Sequence, residues 1–300
     1  MSVLFIFIDG VGVGKNLDIN PLASSDWSSF SYFTESGGLH DECAEINKNG
    51  ILYKPIDANL DVSGLPQSGT GQTTLFSGEN AAKIAGKHYG PFPYTTTRFL
   101  LEEKSLFHNV LDLGLKPTFM NAYPDIFFER AQKRDRWTAT TMMARSAGIE
   151  LNRVEDLLEG KAITAEIIQN VWRENLKLEV PEITKEEAGD RMINAAKTYD
   201  LVLYEFYLTD KAGHSMDKKY ADQIRDLLDP FLTHITYNMA DNDTLVMTSD
   251  HGNLEDLSTK THTRNPVPLF VKGDTGPFKD AKSIMDVTPG IVSVLEREKG

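Results

Sequence analysis

The run Val3–Ile8, VLFIFI, is apolar at every position, and it ends on a carboxylate, Asp9. A strand with one face in water alternates apolar and polar residues. An uninterrupted run needs cover on both faces, which a parallel sheet between two helical layers provides. Similar runs recur at 118–121 (TFMN), 201–207 (LVLYEFY), 244–248 (TLVMT) and 267–271 (VPLFV). Apolar residues at helical spacing fill the intervals: Glu103 to Leu115 with Gly114 as its stop, Lys185 to Tyr199, and Tyr220 to Met239 with Pro230 as an expected kink or boundary. A last such segment carries Ile284, Val287, Ile291 and Val294. Strands alternating with helices predict an α/β fold, a mostly parallel sheet sandwiched by helices.

The stretch 122–184 differs in texture. It is rich in charge (FFERAQKRDRW) and lacks a continuous apolar run of strand length. It reads as a small helical cap insertion, dividing a core formed by residues 1–121 and 185–300.

Thirty-one Lys and Arg against 44 Asp and Glu leave a formal charge of −13. That balance argues against non-specific nucleic-acid binding and against an anionic membrane surface, both of which need basic surface. A mean hydropathy of −0.33 argues against a membrane bundle. The single cysteine, Cys43, allows neither an intramolecular disulfide nor a cysteine-based zinc site. The N-terminal apolar run has no basic flank and stops at Asp9, short of a signal or spanning segment, so a cytoplasmic location is expected.

The glycines after the first run, Asp9-Gly10-Val11-Gly12-Val13-Gly14-Lys15, invite a nucleotide-binding reading that their spacing does not support. G-x-G-x-x-G would need its third glycine one residue later, and a P-loop needs one more residue between its glycines and Ser or Thr after the lysine, where Asn16 stands. The better reading is a tight turn beneath a functional Asp9. Asp210 and Asp250 likewise follow apolar runs, and ligands in open α/β sheets gather at the carboxyl ends of strands. Three carboxylates there repel one another, and bound cations are the simplest remedy. Three histidines stand nearby in sequence: His214 in DKAGH, His251 in SDHGN and His262 in THTRNP. Asp and His suit zinc or manganese. His40, His88, His108 and His234 have no acidic residue at useful spacing, and His234 falls on an amphipathic helix as a structural residue. The segment 65–74, LPQSGTGQTT, reads as a loop entering a helix. Its Ser68 or Thr70 is either an N-cap or a hydroxyl nucleophile activated beside a metal.

The order of these motifs resembles the alkaline phosphatase superfamily, in particular the branch of cofactor-independent phosphoglycerate mutase and phosphopentomutase. The matching pieces are FIDG, QSGTGQ, DKAGH, SDHGN, HTRNPVP and DVTPGIV. The resemblance implies two divalent ions, manganese or zinc, with Asp9, Ser68, Asp250 and His251 on one and Asp210, His214 and His262 on the other. It implies Ser68 as nucleophile with Thr70 as fallback, a phosphoserine intermediate, and a small phosphorylated substrate. The chain departs from the mutases at Gln72, which stands where they carry histidine, and in the short stretch 122–184, where phosphoglycerate mutase has a large insertion. The sulfatase signature is absent around Ser68. Arg130, Lys133, Arg134, Arg136 and Arg145 in the cap are candidate phosphate or carboxylate contacts. A phosphodiesterase with the same ligand set, or an inactive metal- or phosphate-binding protein, are the alternatives.

Overall fold

Both sides of the first strand are buried against separate cores in the computed structural model, which describes residues 1–297. The strands are β1 (Val3–Ile8), β2 (Ile46–Lys48), β3 (Ile51–Ile56), β4 (Pro117–Phe119), β5 (Leu201–Phe206), β6 (Thr244–Thr248) and β7 (Val267–Lys272). They form one sheet in the order β2-β3-β7-β6-β1-β5-β4. β1 pairs in parallel with both β5 and β6, and β4 pairs in parallel with β5. β7, β3 and β2 continue the sheet by antiparallel pairing. Because β3 reverses β7, five of the seven strands still point the same way, and the α/β sandwich read from the sequence is the architecture observed.

Alternation within each buried strand divides its side chains between the two cores. Val3, Phe5 and Phe7 meet Leu201, Leu203, Val246 and Leu269 beneath the helices Ser68–Ser77, Leu106–Asp112 and Val287–Arg297. Leu4, Ile6 and Ile8 meet Val202, Tyr204, Met247 and Phe270 beneath Ser28–Thr34, Lys185–Ala195 and Lys218–Asn238. Two layers of helices thus explain why the strands carry no polar face.

Pro230 lies inside the 21-residue helix Lys218–Asn238 rather than at its boundary. The preceding Asp229 is buried and accepts hydrogen bonds from the backbone N–H groups of Ser28 and Ser29 and from Ser29 Oγ. It thereby holds the start of the neighbouring helix. β2 and β3 form a hairpin that the apolar-run reading omits. Its turn is Asn49-Gly50, both with positive φ (54° and 72°), as a two-residue hairpin loop requires. Within 122–184, the helix Ala139–Ser146 inserts Met142 and Met143 into the first core, while Ala122, Leu157, Ala162, Trp172 and Val180 make a small separate cluster. Among the described residues, no helix is long and apolar enough to cross a membrane.

Candidate metal centre

β6, β1 and β5 are adjacent and parallel, so the segments leaving their carboxyl ends converge. Asp9 directly follows β1, Asp250 lies two residues past β6, and Asp210 sits in the first turn of the helix Leu208–Ser215 after β5. His214 follows on that same helix. β7 runs the opposite way, so the loop that enters it arrives at this same edge carrying His262. β3 ends there too, and the chain beyond it leads to Ser68 at the start of Ser68–Ser77.

All seven expected ligands meet. His251 Nε2 lies 3.0 Å from Ser68 Oγ, 3.4 Å from Asp9 Oδ1 and 3.5 Å from Asp250 Oδ2. The His251 ring stacks on that of His262 with centroids 3.7 Å apart. His262 Nε2 is 3.6 Å from Asp210 Oδ1 and 3.3 Å from His214 Nε2, which is itself 3.3 Å from Asp210 Oδ2. Two groups have ligand atoms all within 4.8 Å of one another: Asp9, Asp250 and His251, and Asp210, His251 and His262. Thr70, by contrast, bonds to the backbone of Gln67 and Tyr89 and accepts from Tyr89 N–H. The helix N-cap is Gln67, and neither hydroxyl caps it.

Burial makes this arrangement costly without a cation. Asp9 is held well above the usual carboxylate range by desolvation and by the charges of Asp250 and Asp210. Asp250 is pushed up to about 8, again by burial first and then by Asp210. Burial holds His251 well below its ordinary value, with His262 adding to the effect, and lowers His262 as well. Neutral imidazole is the ligating form, and a divalent ion reverses the penalty on the carboxylates. Asp9 Oδ1, both carboxylate oxygens of Asp250 and His251 Nδ1 are buried without a hydrogen-bond partner. Orphaned acceptors on a carboxylate–imidazole–hydroxyl donor set fit a divalent cation.

The glycines serve close approach. Gly10 has φ +69°, and a Cβ there would lie 2.7 Å from Asp210 Cα. A side chain on Gly12 or Gly14 would collide with Glu255. On Gly69 it would meet the carbonyls of Phe92 and Tyr89, and on Gly213 it would come within 2.6 Å of Asn253, whose Nδ2 donates to Asp210 Oδ1 at 2.7 Å.

A model of the Metalloenzyme superfamily matches residues 1–299. The chain belongs to this superfamily. Among curated sequences, a 2,3-bisphosphoglycerate-independent phosphoglycerate mutase of Malacoplasma penetrans is 28% identical over 96% of this chain and 57% of its own length. The mutase of Rhodopseudomonas palustris is 31% identical over 39% of this chain and 25% of its length. A phosphopentomutase of Alkaliphilus metalliredigens is 27% identical over 44% and 32%. This chain therefore spans well under two thirds of each of the three. Among solved structures, the PH0037 protein of Pyrococcus horikoshii aligns at TM-score 0.60 with 14% identity, covering 99% of this chain and 97% of that one. The alkaline phosphatase of the Antarctic bacterium TAB5 aligns at 0.57 with 14% identity, covering 98% of each. These likenesses place the Metalloenzyme chain among alkaline phosphatase-like folds.

Three further residues bear on the centre. Glu255 is buried and accepts from the N–H groups of Gly12 and Asn253, from Asn265 Nδ2 and from Thr263 Oγ1. Gln72, the departure from the mutase pattern, is buried and donates to Asp9 Oδ2 at 3.2 Å. Glu205 stands inside β5 on the face otherwise occupied by Leu201 and Leu203, and its charge contributes to the shift of Asp9. A carboxylate interrupting an apolar run was the visible signal for it. Of the basic residues expected to face substrate, Arg130, Arg134 and Arg136 line a cavity of about 540 Å³ that also includes Glu205. Arg145 instead stacks 3.6 Å over the Trp137 ring and lines a different groove, and Lys133 lines neither. His234, which has no acidic residue at useful sequence spacing and reads as structural, pairs across to Asp190 of the neighbouring helix at 2.7 Å.

Proposed function

We propose that this chain carries out metal-dependent phosphoryl transfer on a small phosphomonoester, as a phosphatase or phosphomutase, with Ser68 as the nucleophile. The observation that carries the reading is the 3.0 Å approach of Ser68 Oγ to His251 Nε2, at the start of a helix and beside the orphaned oxygens of Asp9 and Asp250. Asp9, Ser68, Asp250 and His251 would hold one divalent ion, and Asp210, His214 and His262 a second, manganese or zinc. Ions bound there supply positive charge that lowers the hydroxyl pKa and stabilises the attacking and leaving oxygens.

The chain's own residues place the reactants. Gln72 and Asn253 fix the Asp9 and Asp210 carboxylates by hydrogen bonds. His262 is oriented through Nδ1, 2.7 Å from the carbonyl of Pro66, and His214 through Nδ1, 2.6 Å from the carbonyl of Lys260. With its ring so oriented, each presents Nε2 to the centre. Ser68 Oγ gives up its proton and forms a bond to phosphorus as the bond to the leaving alcohol breaks, and the alcohol oxygen takes up one proton in exchange. Water, or an alcohol group of a retained intermediate, then loses a proton and displaces the serine oxygen, which is reprotonated to the free hydroxyl. Residues 122–184 act as the cap over the substrate.

Nitrophenyl phosphate and bis-nitrophenyl phosphate, offered to metal-loaded protein, separate the monoester reading from the phosphodiesterase alternative; a preference for the diester would overturn the choice. Ser68→Ala is expected to lower monoester turnover by about a thousandfold or more, as removal of a nucleophile does, and to abolish the phosphoserine seen by mass spectrometry after acid quench. Unchanged turnover in that variant would remove Ser68 from the role.

A further inference from the structure

The alkaline phosphatase-like centre uses one edge of the sheet, but a second feature adjoins it. The cavity of about 540 Å³ lies between the end of β5 and residues of the 122–184 stretch, and its size falls within the range of pockets that enclose a drug-sized molecule. One segment ties it to the centre. Phe92 lines it, and the Phe92 carbonyl packs against Gly69, the residue after Ser68, while a Cβ on the nearby Gly90 would meet Gln67 and the backbone N of Ser68.

Its walls are unusual for a site that would receive only a three-carbon acid. Tyr123, Phe127, Trp172 and Tyr207 contribute aromatic rings in addition to Phe92. Tyr207 is 46% exposed, and Ile126, Val171 and Leu176 are also large apolar residues left open to solvent around the same cavity. Exposed apolar side chains gathered at one concavity mark a ligand surface. The cations, Arg130, Arg134 and Arg136, are exposed, and the Arg136 guanidinium lies 5.7 Å over the Phe92 ring. The buried polar groups include the carboxylates of Glu205 and Glu166, each 7% exposed, which disfavour a substrate carboxylate at depth.

Resting on the phosphoryl-transfer reading, we infer that this cavity receives the leaving alcohol of the substrate and selects phosphomonoesters whose alcohol bears a planar ring, a nucleoside or an aryl alcohol, over small acidic esters. The phosphoryl group sits at Ser68, the ring lies against the aromatic wall, and the arginines draw the anionic ester to the mouth of an acidic protein.

Four esters of primary alcohols test this with leaving-group reactivity held nearly constant: adenosine 5′-monophosphate against ribose 5-phosphate, and benzyl phosphate against glycerol 1-phosphate. Stacking of the kind seen between bases and aromatic side chains predicts kcat/KM about tenfold higher for the ring-bearing member of at least one pair. The pair that responds tells nucleoside from aryl. Phe92→Leu and Tyr207→Leu are each expected to shrink that ratio severalfold. Ratios near one in both pairs, or preference for 3-phosphoglycerate, would overturn the inference while leaving phosphoryl transfer intact. Thermal shifts of the metal-loaded chain with the same four compounds read binding apart from turnover. A ring-dependent shift without turnover would support the cavity and count against the proposed reaction, whereas equal shifts would overturn the cavity's role.

Discussion

Glu255 takes hydrogen bonds from the turn after β1, from the SDHGN loop and from the HTRN loop, the three segments that carry Asp9, Asp250 with His251, and His262. Among the described residues none of its hydrogen-bond donors is a candidate ligand, yet it ties together the segments that carry them, and a side chain on Gly12 or Gly14 would take its space. Glu255→Ala would leave four donors without their acceptor, at a cost of about 3 kcal/mol or more. Urea unfolding of the metal-free protein checks this, and a loss below about 1 kcal/mol would mean the three loops hold one another without it. Asp9, Asp210 and Asp250 were legible in the sequence because each follows an apolar run, and the histidines because they stand in short motifs beside or beyond those aspartates. Glu255 had no such mark. Its role depends on three loops that are distant in sequence, and only their convergence in space exposes it.

At the scale of elements, the five apolar runs were legible because burial on both faces erases alternation, and β1 and β6 fall on the residues expected. The β2–β3 hairpin was harder to see, since Lys54 and Pro55 break the apolar pattern of β3, although the Asn49-Gly50 turn carried the signal. Direction was not legible at all. Val267–Lys272 is as apolar as the parallel strands, and only its pairing shows that it runs the other way. Pro230 reads in sequence as a kink or a boundary, and in the fold it stays inside a helix beside an aspartate that secures another. Asp229→Ala should therefore destabilise the helix Ser28–Thr34, which carries Phe30 and Phe33 into the core. The expected cost is about 2 kcal/mol, from losing hydrogen bonds to a charged acceptor, and hydrogen exchange should rise first in residues 28–34.

For the whole molecule, the formal charge of −13 describes a surface, and the centre has its own balance. Asp250 at about 8 and Glu205 at about 7 titrate above their ordinary values of 3.8 and 4.5, both chiefly through burial. The folded, metal-free protein therefore binds protons that the unfolded chain has released, and its stability falls as pH rises through these values. His251 and His262, lowered from 6.5, act in the opposite sense below that pH. Between about pH 6.5 and 8 the carboxylates alone set the slope. The Tm of chelator-treated protein should decline across that window, and excess manganese or zinc should raise Tm most at its upper end, where ligands are deprotonated. A Tm that is flat with pH and indifferent to either ion would contradict a buried carboxylate centre.

The reversed direction of β7 has a consequence during synthesis. Asp9 is made long before His262, so the proposed set of ligands is incomplete until the loop that enters β7 has been made. β7 itself is the strand that joins β3 to β6. Before it emerges, both of those edges lack their partner and the nascent aspartates have no complete site to enter. Completion of the proposed ligand set is thus coupled to the insertion of a central strand, β7, between β3 and β6.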